Sequence, residues 1–223
     1  MAAPSARTTV RRLPERGAYD RSTVHAVLDE GFVAHVGLAT DDGPVVIPML
    51  YARDGDRVLV HGSPASRLLR TGAKGLDMCL TVTLVDGLVL ARSAFHHSVN
   101  YRSVVVMGRA TRLDDLDERR AALDVLVESI VPGRTADARP PSERELRGTT
   151  VLALPLDEAS VKVRTGGPKE EEFDMDLPVW AGVVPLSLVA GEPVPDPDLR
   201  VAVPAPPYAV DYRRPHHPID LEQ

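Results

Sequence analysis

FVAHVGLATDDGPVVIPMLYARDGDRVLVHG, residues 32–62, holds three extended segments separated by two sets of turn residues. Phe32, Ala34, Val36 and Leu38 alternate with His35 and Gly37, the period of two that sends successive side chains to opposite faces of a strand. Asp41-Asp42-Gly43-Pro44 supplies turn chemistry, and Val45 to Tyr51 resumes an extended apolar pattern, so the pair reads as a β-hairpin. Asp54-Gly55-Asp56 turns the chain again into a strand from Arg57 to His61.

The same grammar continues outward from this stretch. Ala65 to Thr71 has helical spacing and ends near Gly72. Leu76 to Val85 and Leu88 to Ala94 flank Asp86-Gly87 and read as a second hairpin, followed by a strand from Tyr101 to Leu113. Leu116 to Val131 is an amphipathic helix carrying Leu116, Leu123, Leu126, Val127 and Ile130 on one stripe. Ser142 and Glu145 fit a capping box at the head of a short helix to Arg147. Val151 to Leu156 and Ser160 to Arg164 read as the last strands. Upstream, Ser22 to Glu30 reads as a helix with Ser22 as N-cap and Gly31 as its stop.

Many short strands joined by tight turns, with helices at the edges, describe a mainly β protein. A closed or nearly closed antiparallel barrel removes the exposed edges such strands would leave. A doubly wound parallel sheet is excluded, because these connections are too short for parallel crossovers. The division expected is a flexible segment at 1–19, one domain at 20–190, and a proline-rich extended tail at 191–223.

Composition narrows the function. The net charge of −6 disfavours nucleic acid as a partner, since phosphate neutralisation needs an excess of Lys and Arg. Lys74, Lys162 and Lys169 are the only lysines, so nearly all fixed positive charge is guanidinium, the group suited to bidentate phosphate contacts. Cys79 stands alone, which rules out an internal disulfide and reads as a small buried hydrophobe. No run approaches the ~18 apolar residues of a membrane span, and the cytoplasm is the expected compartment.

His61-Gly62-Ser63-Pro64-Ala65-Ser66-Arg67 leaves a strand, turns, and opens a helix with a hydroxyl and a guanidinium. Amide groups at a helix start with Ser66 and Arg67 beside them can hold a phosphate; read alone, the same residues serve as helix caps and a solvated charge. Paired His96-His97 does not suggest a metal site, because neighbours on a strand point to opposite faces and no acidic or thiolate ligands accompany them. His216-His217 in the tail reads as solvent-exposed and incidental.

Taken in order, the turns, the Ser66-Arg67 helix start and the later Val105-Val106-Met107-Gly108-Arg109-Ala110 strand resemble the pyridoxamine 5'-phosphate oxidase-like, FMN-binding split-barrel superfamily. The likeness is to its flavin-nucleotide-binding branch, which includes nitroimidazole-resistance reductases, and it covers about residues 20 to 190. It implies an antiparallel split β-barrel with flanking α-helices and FMN as cofactor. His61 and Gly62 would then lie near the flavin ring and ribityl chain, with Ser66 and Arg67 on the phosphate. Leu68 stands where the oxidase pattern has Lys, and Lys74 is the candidate replacement. Pro48 and Tyr51 match a Pro-x-x-Tyr feature near the isoalloxazine. The polar and aromatic segment from Ser93 through Tyr101 and Arg102 would face the cofactor. Trp180, within Pro178-Val179-Trp180-Ala181-Gly182-Val183-Val184-Pro185-Leu186, would pack beside the cofactor or anchor an interface.

The resemblance further implies a homodimer with the cofactor at its interface. The activity expected is that of an FMN-dependent oxidoreductase acting on a small organic substrate, such as a pyridoxamine-like amine or a nitroaromatic compound, with the flavin supplying the redox chemistry. Two other readings stay open. One is a non-catalytic flavin- or haem-binding protein with His61 or the His96-His97 pair on iron. The other is a dimerisation module that has lost its cofactor.

Overall fold

The computed structural model describes residues 3–65 and 75–217. Nine strands form one antiparallel sheet: β1 (Gly17–Ala18), β2 (Val33–Thr40), β3 (Gly43–Asp54), β4 (Arg57–Gly62), β5 (Leu76–Leu90), β6 (Ser98–Arg112), β7 (Thr150–Pro155), β8 (Glu158–Arg164) and β9 (Gly182–Pro185). The order β6-β7-β4-β3-β2-β5 closes on itself because β5 also pairs with β6, so six strands make a barrel; β8 and β1 extend it beside β6, and β9 beside β5. The expected split barrel is the fold observed.

Two long strands do the splitting. β3 pairs with β2 over residues 43–50 and then with β4 from Tyr51 to Asp54. Along its edge away from β5, β6 pairs with β8 from Tyr101 to Met107 and then with β7 at Thr111 and Arg112.

Alternation sends Ala34, Val36, Val58, Val60, Leu80, Val82, Val104, Val106, Leu152 and Leu154 into the barrel, where Val24, Val27 and Leu28 of α1 (Arg21–Glu30) close it. A second core lies outside the wall, where α2 (Leu116–Ile130) sets Ala122 and Leu126 against Ala52, Leu59, Val151 and Ala153. Short helices α3 (Arg134–Asp137) and α4 (Glu143–Arg147) follow, and the Ser142–Glu145 capping box at the head of α4 is present as expected. Among the described residues no helix is long and apolar enough to cross a membrane.

The structure corrects several local expectations. α1 starts one residue earlier than expected, and its N-cap is Asp20, whose carboxylate accepts from the Thr23 amide at 2.8 Å; the Ser22 hydroxyl donates to the same carboxylate. Asp86-Gly87 is no hairpin turn, since β5 runs unbroken from Leu76 to Leu90 and only bulges between Val85 and Gly87. The bulge turns the Asp86 carboxylate toward Arg102 and its carbonyl toward the Leu186 amide, 3.0 Å away. Glycine is needed next because a Cβ on Gly87 would stand 2.9 Å from Val183 on β9. Cys79 is half-buried on the outer side of β5 rather than in the core. The helix expected at Ala65 to Thr71 lies almost wholly outside the described residues.

Both ends of the chain are tied down. Before residue 20, β1 pairs with β8, Arg7 pairs with Glu158, and Lys162 donates to the Arg12 carbonyl at 2.9 Å. The tail is irregular apart from α5 (Pro207–Val210). Arg214 donates to the carbonyls of Asp29, Glu30 and Gly31 at the end of α1 and to Ser129 near the end of α2, which answers two helix C-termini with one cation. His216 and His217 are therefore not incidental: the His216 ring meets Glu30 at 3.0 Å and the His217 amide donates to Glu30 at 2.8 Å.

Candidate functional site

The strands that fill the barrel with one set of side chains present the other set outside. On β3 these are Pro44, Val46, Pro48 and Leu50, on β2 Val33, His35, Gly37 and Ala39. Register places Pro48, His35, Thr81 and Val105 in one row across four strands, and Val46, Gly37, Cys79 and Met107 in the next. The resulting wall is largely apolar, with His35 and Thr81 among its residues, glycine at its centre leaves room for close approach, and Val46 is 64% exposed. Contiguous exposed apolar surface of this kind marks a place where a ligand or another chain sits. The sequence carried a signal for it that alternation alone overlooked: Val45 to Leu50 is apolar on both faces, as in a strand covered on both sides.

At one edge of this wall stands His61. It is the last outward side chain of β4, and continuing the Tyr51–Val60 pairing by one step sets it opposite Leu50, where β3 leaves β4 for β2. Its Nδ1 is buried and has no hydrogen-bond partner among the described residues. Burial lowers its pKa, so the ring is held neutral, with a lone pair available to a donor or a metal. Gly62 pairs with Thr150 beside it, and the Ser63 hydroxyl accepts from the Ala65 amide at 3.2 Å. Ser66, Arg67 and Lys74, the residues expected at a phosphate, lie outside the described residues.

Pro48 stands on the outer wall. Tyr51 does not, because three residues along a strand reverse the face. It is 1% exposed in the barrel core, and its hydroxyl donates to the Leu28 carbonyl at 2.7 Å. Arg102 is likewise used internally: 3% exposed, it donates to both oxygens of Glu30 and of Asp86 and to the His217 carbonyl. It does recognise anions, as an arginine there was expected to, but they are the chain's own. Tyr101 lies on the outer side between Val85 and Arg164.

Ser93 caps a 3-10 turn over Ala94–His96 by accepting from the Phe95 amide. In that turn His96 meets the Phe95 ring edge-on, with centroids 5.3 Å apart, and Glu171 at 4.0 Å, and its Nδ1 is a second buried imidazole nitrogen without a partner. Trp180 is 66% exposed, with its ring close over Gly182, where an added Cβ would stand 2.9 Å from it, so in this chain alone it is no core residue. A cavity of about 340 Å³ opens beside the wall at Val33 and Val85, between Phe32, Leu84, Leu186 and Arg214. Among the described residues, none of those expected at the cofactor lines it.

The pyridoxamine 5'-phosphate oxidase family profile matches residues 20–163. Among solved structures, the flavocytochrome Anf3 from Azotobacter vinelandii is 42% identical, with a TM-score of 0.90 over 96% of this chain and 99% of that one. The FAD and haem binding protein from Mycobacterium smegmatis is 37% identical, with a TM-score of 0.82 over 86% of this chain and 95% of that one. A 5-nitroimidazole antibiotic resistance protein from Bacteroides thetaiotaomicron shares the fold at 23% identity, with a TM-score of 0.55 over 66% of this chain and 86% of that one. No curated protein matches.

Proposed function

Because this chain belongs to the pyridoxamine 5'-phosphate oxidase family, we propose that it is a flavin-dependent oxidoreductase whose flavin lies against the outer wall of β2, β3, β5 and β6. The observation that carries the reading is the wall itself: an exposed, largely apolar surface on four barrel strands, with the neutral His61 imidazole at its edge. A planar ring system buries such a surface efficiently, and a second copy of the chain covers what the ring leaves, which supports a homodimer with the cofactor between subunits. Pro48 and His61 would border the ring, and Ser66 and Arg67 would take the phosphate. When bound, the flavin supplies the two-electron chemistry. The chain's own part is to orient it, exclude water, and keep an uncharged imidazole beside it.

A second cofactor has its own support. Two relatives above one-third identity are named as a flavocytochrome and as an FAD and haem binding protein, and this chain holds buried imidazole nitrogens on His61 and His96 with no hydrogen-bond partner among the described residues. Among the described residues no group of three or more His, Cys, Asp or Glu could hold a bare metal ion, whereas haem brings four of its own ligands and asks the protein for one or two. His61 and His96 fit that demand.

Denaturing the purified protein and weighing what is released tests the proposal. A flavin is expected, and its mass separates the FMN implied by the family resemblance from the FAD named for the M. smegmatis relative. A protein that releases neither and takes up neither when supplied contradicts it.

A further inference from the structure

Arg164 closes β8 on the outer side of the barrel, across from Tyr101, which in turn pairs with Val85. It is 6% exposed, and all its hydrogen bonds end on neutral atoms: Nη1 donates to the Asn100 side-chain oxygen and, at 3.3 Å, to the Gly166 carbonyl, and Nη2 donates to the Gly167 carbonyl at 3.0 Å. Asn100 is fixed in turn by its own bond to the Gly166 carbonyl at 3.1 Å. Among the described residues no carboxylate pairs with Arg164. A second cation, Arg16, stands directly before Gly17, the partner of Lys162 on β8, so β1 enters alongside the end of β8 where Arg164 sits; the Arg16 side chain makes no hydrogen bond or ion pair among the described residues. Burial first, and then the Arg16 charge, push the Arg164 guanidinium below its ordinary range, with Tyr101 acting weakly the other way.

The buried Arg102 and Arg119 and the half-buried Arg214 are arranged differently. Arg102 has Glu30 and Asp86. Arg214 answers the negative ends of α1 and α2, and Arg119 donates to the Leu146 carbonyl at the end of α4 as well as to Leu113. Arg164 has neither a carboxylate nor a helix end, and a second guanidinium stands near it. A desolvated cation with a like charge beside it is unfavourable unless an anion completes the group.

We propose that Arg164 and Arg16 form a subsite for an anionic group, a carboxylate or a phosphate, on a molecule bound along the outer wall beside Tyr101. Arginine's planar fork suits either group, and the fixed Asn100 and glycine carbonyls hold the guanidinium in one orientation before the ligand arrives. The proposal takes from the functional reading only that a ligand occupies the wall. It adds that this ligand, cofactor or substrate, is an acid.

The test uses the full chain as purified, titrated calorimetrically with inorganic phosphate and with glutarate, alongside the cofactor content read by absorbance. Arg16→Gln alters a half-exposed side chain and is compared with Arg164→Gln and the charge-keeping Arg164→Lys. If the anion belongs to a free ligand, one equivalent of phosphate or glutarate binds; affinity falls about tenfold or more in Arg16→Gln, vanishes in Arg164→Gln and partly returns in Arg164→Lys. If the anion belongs to a resident cofactor, the site does not titrate, and both glutamine variants purify with less cofactor than the parent. Equal anion binding and equal cofactor content in all four proteins would overturn the subsite. A colourless protein that still binds phosphate through Arg164 would sink the flavin reading and leave the subsite standing.

Discussion

The phenolic oxygen of Tyr51 and the carbonyl oxygen of Leu28 lie 2.7 Å apart, the phenol donating, and the pair ties the middle of β3 to the last turn of α1. Packing there leaves no slack: a Cβ on Gly31 would come within 2.5 Å of the Tyr51 hydroxyl. Burial also pushes the phenol far above its usual range, so it stays a donor at any working pH. Tyr51 is thus a structural residue, although a family motif suggested a place at the flavin.

Tyr51→Phe removes this donor and leaves a helix-end carbonyl unpaired, at an expected cost of about 1–2 kcal/mol. Denaturant unfolding measures the loss, and cofactor content should match the parent. A variant of unchanged stability that loses its cofactor would return Tyr51 to the site.

Arg102→Met leaves Glu30 and Asp86 facing each other without their shared cation, and removing one partner of a buried pair costs about 3–5 kcal/mol. The same change frees the His217 carbonyl and loosens the tail. Unfolding free energy together with proteolysis of the tail checks both effects.

Glu30 sets a pH dependence. Burial pushes its carboxyl up, but hydrogen bonds from Arg102, the His217 amide and His216 outweigh this and bring it from 4.5 down to about 2. A folded-state value below the unfolded one means the contribution is full above the unfolded value and disappears as the folded one is crossed. Stability should therefore fall as pH drops from about 4.5 toward 2, and the fall should be shallower in Glu30→Gln. Parallel thermal melts across that window decide it, and identical slopes would show that Glu30 is not the group responsible.

How much of this was legible in the sequence depends on whether one residue pattern served one purpose. Strand period, the Gly43 and Gly55 turns and the Ser142–Glu145 box each follow local rules, and the structure keeps them, whereas the stripe expected on α2 is rotated: Val127 is exposed, and Arg119, Ala122 and Leu126 face inward. Asp86-Gly87 has the composition of a hairpin turn, but the same residues suit a bulge, where the carboxylate reaches Arg102 and the missing side chain admits β9. Only tertiary context separates the two. Arg214 and His216 act more than 180 residues from their partners, beyond the reach of any window. Of the candidate site residues, Pro48 and His61 lie on the outer face, whereas Tyr51, three residues after Pro48 on the same strand, turns into the core, which a motif read without counting faces does not show.

Val46→Glu places a charge in the middle of the outer wall, where the side chain is 64% exposed. The monomer should fold with stability close to the parent's, within about 0.5 kcal/mol, as for ordinary surface changes. Sedimentation velocity should show a dimer becoming a monomer, with loss of flavin. An unchanged sedimentation coefficient would mean that a second copy does not cover this wall.

His61→Leu removes an imidazole whose buried nitrogen has no hydrogen-bond partner among the described residues, so the folded protein should lose no stability and gain a little. Cofactor content is the informative quantity: it should fall markedly while the melting temperature holds.

The most direct test of the central claim is the visible absorption spectrum of the purified full-length protein, before and after anaerobic reduction. Flavin bands that bleach on reduction are expected, with a Soret band above them if His61 or His96 holds haem. A colourless protein whose spectrum stays flat after incubation with FMN, FAD and haem would contradict the account.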